Sequence, residues 1–358
     1  MTEKNASQGF YYPQLDGLRF FAFLLVFIHN APHLESVAIW KSLHEYGWIG
    51  VDIFFCLSAF LITKLLMLEY NQSKTIKKWD FYIRRVLKIY PIYLLYILIA
   101  LFLSYKKTGW DQITLQILSL FTFTFNYVYI LIFPKAVVLF VHLWTISFEA
   151  QFYLIAPYLV KYIKEIPNKT KWILFILILI AGLLIRTILI QNKLYYPVIY
   201  LLPFSHLDAM LGGIIIGSGI ADKIINKTTT FIYLFLILLI SYSISYLPNI
   251  NEYKLGLILT YLFSGILSTL IIAMFSKNGT SILIKLFSLP LFVYLGKISY
   301  GLYIFHLLGN SITREFLPIS HISIVFPIGL ISTIFLASLS YYSIEKYFRA
   351  ISTRYKIT

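Results

Sequence analysis

An all-α, polytopic membrane helical bundle is the fold that this sequence predicts, on three grounds. Of its 358 residues, 59% are hydrophobic and only 13% charged, where soluble globular chains sit near half and a quarter. The apolar residues gather into runs of about 20, the length that crosses a bilayer as a helix. Basic residues collect in alternate gaps between those runs, so the net charge of +15 reads as positive-inside topology and not as a nucleic-acid-binding stripe.

Eleven runs qualify: 17–35, 48–66, 88–104, 112–133, 142–160, 172–190, 198–218, 229–247, 255–276, 288–310 and 322–344. The fourth is the least apolar, carrying Gln116, Thr122, Thr124 and Asn126. If it does not cross and the N-terminus is inside, 20 basic residues fall inside and 7 outside; if it crosses, the split becomes 12 against 15. The charge bias therefore predicts about ten transmembrane helices with both termini cytoplasmic. It leaves 112–133 as a re-entrant or interfacial segment, tolerable where it packs on protein or lines a cavity. The expected organisation is one membrane domain over 1–350 and a short cytoplasmic tail at 351–358. The first apolar run lacks a small-residue cleavage site and reads as a span, not a removable signal. Cys56 is the only cysteine, which excludes an intramolecular disulfide and a thiolate metal cluster and leaves a packing role.

Charged groups inside a span cost roughly 2.5–3.5 kcal/mol each and tend to mark a pathway or site. Arg19 and His29 share the first span. Arg19 can snorkel to the interface. His29 stands ten residues further on, about 15 Å along a helix, and is either a general base or an imidazole hydrogen-bonded between helices. Glu149 lies in Trp144-Thr-Ile-Ser-Phe-Glu-Ala-Gln-Phe-Tyr153, together with Ser147. His206, Asp208 and Glu345 are interfacial pairs or site groups. Ser299, Tyr303 and His306 fall at i, i+4 and i+7, so one helical face carries a hydroxyl, a phenol and an imidazole, as a polar cavity would require. Tyr300 and Tyr303 can alternatively belong to an aromatic belt. Arg84, Arg85 and Lys88 cluster beside Pro91 at the start of the third span, a group able to hold phosphates or to serve as ordinary positive-inside charge. There is no Walker loop, dinucleotide fingerprint, metal-spaced His/Cys set or nucleophile elbow, so any chemistry must use histidine, carboxylate, tyrosine and arginine.

These segments together resemble the membrane acyltransferase-3 family, the bacterial O-acyltransferases of surface glycans, from about residue 11 to 349. Tyr12-Pro-Gln-Leu-Asp-Gly-Leu-Arg19 followed by His29 resembles the family's first-span Arg–His motif. Gly47 to Thr63 resembles its second span, with Ala59 where glycine is usual. Phe81 to Pro91 resembles its basic loop, Leu143 to Tyr153 its Trp-Ser-Leu-x-x-Glu-Glu-Gln-Phe-Tyr segment, and Gly296 to His306 its late span. The resemblance implies an enzyme of the bacterial inner membrane that transfers an acyl group, most often from acetyl-CoA on the cytoplasmic side, to a hydroxyl of a cell-surface or lipid-linked glycan such as a polysaccharide or lipopolysaccharide. It implies no metal. By the same resemblance His29 is the catalytic residue with Arg19 and Glu149 in support. Arg84, Arg85 and Lys88 would meet the CoA phosphates, and Trp144, Ser147, Tyr153, Ser299, Tyr303 and His306 would shape the substrate pocket. The few residues after the last span suggest the single-domain form.

Three positions depart from the family pattern. The Arg19–His29 gap is one residue shorter than usual, so in a regular helix the two differ by about 80° in direction. Lys88 replaces the usual second arginine, giving up bidentate geometry. Ala150 replaces a second carboxylate. A transporter or flippase of a lipid-linked sugar would also carry intramembrane charge; the basic motif and the lack of inverted repeats weigh against it.

Overall fold

A computed structural model of the protein describes residues 11–31, 38–108, 110–277, 281–316 and 322–355. The expected end of the first span at 32–35, and Lys4 and Lys356 of the charge balance, lie outside the described residues. The architecture is all-helical, with no strand among the described residues.

Pro13 opens α1 (Pro13–Asn30) at its first helical position, where a missing N–H costs nothing. A short α2 (Ala38–Tyr46) turns the chain back into α3 (Ile49–Ser73), and α4 (Lys78–Thr108) follows. The basic motif expected in a loop is therefore helical, in the first turns of α4. The doubtful 112–133 stretch folds as two short helices, α5 (Trp110–Phe121) and α6 (Phe125–Ile132). They are divided at Phe123, whose φ is +53°. A 3₁₀ turn over Val138–Leu143 leads into α7 (Trp144–Glu165), and then α8 (Asn168–Gln191).

The expected 198–218 span is broken. Pro203 has no N–H to donate, and the chain passes from α9 (Val198–Leu201) through a 3₁₀ turn at Pro203–Ser205 into α10 (Leu207–Gly217). After α11 (Asp222–Lys227) come α12 (Thr230–Ile244), α13 (Leu257–Phe275) and α14 (Ile282–Phe287). The expected 288–310 span is two helices, α15 (Pro290–Lys297) and α16 (Ser299–Phe316), bent by 72° at their junction. The chain ends in α17 (Ile322–Ser340), a π-turn at Tyr341–Glu345 and α18 (Lys346–Ser352).

Among the described residues six helical stretches are long and apolar enough to cross a membrane, and the bent α15–α16 pair would make seven. The remaining three expected positions hold α1, which carries Asp16 and Arg19, and α10 and α12. The last two are about 16 and 22 Å long, short of the ~30 Å of hydrocarbon.

The axis of the bundle is α3. Two-thirds (67%) of its apolar window is buried, against 22% for α8 and 28% for the final stretch, which present their apolar sides outward. Around α3 pack α1, α7, α10 and α13. The α10 contact is the closest. A Cβ on Gly213 would lie 2.2 Å from the Cys56 carbonyl oxygen, and one on Gly217 would lie 2.6 Å from that of Phe60. This is a Gly-x-x-x-Gly face that lets two backbones meet. Cys56 is buried in the same seam, as expected of a packing residue.

Buried polar pairs fix the far side of α3. His206 Nδ1 lies 2.6 Å from Asp52 Oδ1, and Ser264 donates to Asp52 Oδ2 at 2.5 Å. Arg186 Nη1 lies 2.7 Å from Asp208 Oδ2, with both side chains buried. His206 and Asp208 are thus paired, and together they tie α3, α8, α10 and α13. Glu345 is buried at the π-turn, where it accepts from Ser340 at 3.4 Å.

Removing one partner of a buried ion pair strands the other charge. Arg186→Ala is expected to lower stability by about 3–5 kcal/mol, read as a fall in melting temperature in detergent. The double variant Arg186→Leu/Asp208→Leu should recover most of that loss. A single variant that melts like the parent would show that the pair carries no such weight.

Candidate functional site

The helix α1 runs without interruption from Pro13 to Asn30, so nothing brings Arg19 and His29 to one face. They open onto two different cavities. The inner cavity, of about 320 Å³, is lined by Arg19 from α1, Ser58 from α3, Arg85 and Lys88 from α4, Thr145, Glu149 and Tyr153 from α7, and Ser299, Tyr300 and Tyr303 from α16. Its apolar wall includes Phe54, Phe55 and Ile146. The outer chamber, of about 120 Å³, is lined by His29, Asn30, His142, Trp144, Tyr200 and Tyr303 among others. Val51 and Tyr303 belong to both walls.

The inner cavity is cationic. Arg19 pairs with Asp16 one turn earlier. Arg85 lies over the rings of Phe81 and Tyr153, at 5.4 and 5.7 Å, and its buried Nε has no hydrogen-bond partner. Lys88 is exposed along the cavity. One lining carboxylate, Glu149, faces these three cations, and Tyr153 bonds to Ser58 Oγ at 2.9 Å. With Arg19 neutralised by Asp16, Arg85 and Lys88 against Glu149 leave one net positive charge on the wall, which suits an anion. Hydroxyls on three helices are placed to orient a polar group that follows the anion inward.

Arg84 is elsewhere. It lies 3.6 Å from Glu69 Oε2 and donates to the Tyr355 carbonyl. Glu69 Oε1 also accepts from the Lys77 backbone N–H at 2.7 Å. The predicted basic triad thus divides: Arg85 and Lys88 line the cavity, and Arg84 staples the end of α3 to the start of α4 and to the C-terminal segment.

In the outer chamber, His29 is half-buried, and its Nδ1 is 2.7 Å from the His44 carbonyl. A carbonyl only accepts, so Nδ1 carries the proton and Nε2 keeps its lone pair. That is the tautomer a general base needs. The α2 helix therefore has a task that is not visible from sequence: its carbonyl sets the ring. His142, two residues before Trp144, lines the same chamber and holds its Nε2 at 3.0 Å from the Ile304 carbonyl.

Not every expected pocket residue reaches a cavity. Trp144 faces the outer chamber, Tyr153 and Ser299 the inner cavity, and Tyr303 both. Ser147 is fully buried and donates to the Leu143 carbonyl at 3.4 Å. His306 is fully buried with Nδ1 2.5 Å from the Tyr303 carbonyl, its ring 4.9 Å from that of His142. The i, i+4, i+7 face therefore delivers two groups to the cavity and packs the third behind them. Sequence reading missed His142, Ser58, Thr145 and Tyr200, and Tyr300, weighed there only for an aromatic belt, lines the inner cavity. The first three sit inside or beside the quoted motifs, and polar atoms in apolar helices were the available signal. No cluster of metal-binding side chains is present among the described residues.

The chain is 27% identical, over 96% of its length, to a protein of Staphylococcus aureus (strain COL) that carries a provisional O-acetyltransferase name. It is 28% identical, over 94% of its length, to the peptidoglycan O-acetyltransferase OatA of Listeria monocytogenes and to the O-acetyltransferase OatA of Staphylococcus aureus (strain NCTC 8325). The alignments span 59%, 55% and 57% of those relatives, so the chain covers a little over half of their length. No solved structure matches it. The model of the acyltransferase domain matches residues 12–342, and the chain belongs to the acyltransferase-3 family.

Proposed function

We propose that this protein is a multi-pass O-acyltransferase of a bacterial cytoplasmic membrane that passes an acyl group, acetyl first among them, from a cytoplasmic acyl-CoA to a hydroxyl of a cell-envelope glycan. The observation that carries the reading is the common wall of two unlike cavities, one cationic and one holding a half-buried imidazole with a free Nε2. The relatives' printed names, peptidoglycan O-acetyltransferase among them, support a glycan acceptor. If the charge bias sets the topology, with both termini cytoplasmic, the basic end of α4 lies on the donor side.

In this reading the donor phosphates rest on Arg85 and Lys88, with the paired Arg19 adding to the positive field. Glu149, on the same wall, offsets part of these cations' charge. The pantetheine arm runs inward past Ser58, Tyr153 and Tyr300, and the thioester reaches the wall at Tyr303. The acceptor enters the outer chamber. Its hydroxyl oxygen attacks the thioester carbonyl carbon while His29 Nε2 takes the hydroxyl proton. The carbon–sulfur bond breaks, and the thiolate leaves into the cationic cavity, where positive charge favours it. Arg19 acts on the donor side and not beside His29, because α1 separates the two.

His29→Ala is expected to lower glycan O-acylation by at least about 100-fold, with membrane insertion intact. Near-normal acylation of the envelope glycan in cells carrying that variant would sink the proposal.

Arg85→Ala/Lys88→Ala should raise the KM for acetyl-CoA by at least about tenfold, the loss expected when a charge-assisted contact goes. Arg84→Ala should leave that KM near the parent value and instead lower the melting temperature. Equal effects of the two variants on donor KM would overturn the division of the basic triad.

A further inference from the structure

Resting on the acyl-transfer reading above, we infer that Val51 and Tyr303 select the acyl group by length, and that the thioesters transferred are those of two- and three-carbon acids. Both residues line both cavities. Within 301–310 of α16, Tyr303 alone is not buried, because cavities border it.

Neither residue of this shared wall adapts. The Tyr303 hydroxyl donates to the His142 carbonyl at 3.2 Å and accepts from Thr145 Oγ1 at 2.8 Å. Its ring meets Phe54 edge-on at 6.0 Å and has the imidazoles of His306 and His142 at 5.4 and 5.7 Å. Val51 is 4% exposed and, being β-branched, has one preferred helical rotamer. The next residue, Asp52, is held by His206 and Ser264, so α3 cannot shift locally.

His29 is on the outer side of that wall and the cations are on the inner side. For an acceptor hydroxyl at His29 to reach a thioester carbonyl anchored from the inner cavity, the acyl chain must lie between the two fixed side chains. Packed interiors do not stretch smoothly to admit extra atoms. One methylene too many in a rigid pocket costs about 10–200-fold in rate. Longer thioesters therefore bind in the inner cavity but do not transfer.

The test uses the full chain in detergent, acetyl-, propionyl-, butyryl- and hexanoyl-CoA as donors, soluble peptidoglycan fragments as acceptor, and released thiol as readout. The parent should transfer acetyl at least about tenfold faster than butyryl. Val51→Ala, and independently Tyr303→Phe, which keeps the ring but loses both hydroxyl contacts, should each raise the butyryl-to-acetyl kcat ratio by about tenfold without changing donor KM. Val51→Phe should slow acetyl transfer while acetyl-CoA still binds. A parent with a flat length profile would overturn the inference and leave the acyl-transfer reading standing, as would an unchanged ratio in both widening variants. A parent that consumes none of the four thioesters would overturn the acyl-transfer reading, and this inference with it.

Discussion

Ten residues of regular helix separate Arg19 from His29, and the rest of the site follows from that spacing. At 100° per residue the two side chains leave α1 in different directions, and at 1.5 Å per residue they lie about 15 Å apart in depth. A cation and a base on one helix therefore cannot share a pocket. Each needs its own polar recess, and α1 is positioned against α3 and α16, the helices that carry Val51 and Tyr303 between the recesses. In the proposed reading, anion binding and proton abstraction become separate tasks at separate depths, as a transfer across a membrane would require.

That separation survives only if the surrounding helices stay in register. Lipid offers no hydrophobic drive for helices to associate, so close backbone packing and buried polar pairs must do it. The Gly213–Gly217 face sets α10 directly on α3. Asp52 then joins α3 to His206 and Ser264, one residue from the Val51 wall. The Arg84–Glu69 pair closes the other end. These charges do no chemistry in the present reading, yet their loss would move the walls of both cavities.

Much of this was legible in the sequence, and the failures have physical causes. Long apolar runs such as 48–66 and 172–190 became α3 and α8, because nothing but a helix satisfies a backbone in hydrocarbon. Hydropathy does not see breaks: Pro203 splits one expected span, and the 72° bend after Lys297 splits another. Motif position found Arg85, Lys88, Glu149, His29 and Tyr303, all on cavity walls. It could not separate Arg84 from Arg85, since adjacent helical residues diverge by 100° and only packing decides which one meets Glu69. His306 fits the periodicity and still faces protein, because a face three residues wide is wider than the cavity it meets. The role of His44 is a main-chain carbonyl, which no side-chain pattern can encode.

The three departures from the family pattern read differently once the cavities are known. The shorter Arg–His gap needs no helix irregularity, since the two residues serve different chambers. Lys88 gives up the bidentate fork of arginine, but Arg85 beside it keeps one, and a point charge suffices where the partner is a diffuse phosphate group. Ala150 stands where a second carboxylate is usual. It lines an adjoining groove of about 230 Å³ with Tyr82, Phe123 and Leu154, which shares Arg85, Ile89 and Tyr153 with the inner cavity that Glu149 lines. A carboxylate at 150 would stand in that groove, on whose wall Arg85 also lies. With alanine at 150 that groove adds no second carboxylate near Arg85, so in the proposed reading more of the arginine's positive charge is left for an anionic donor.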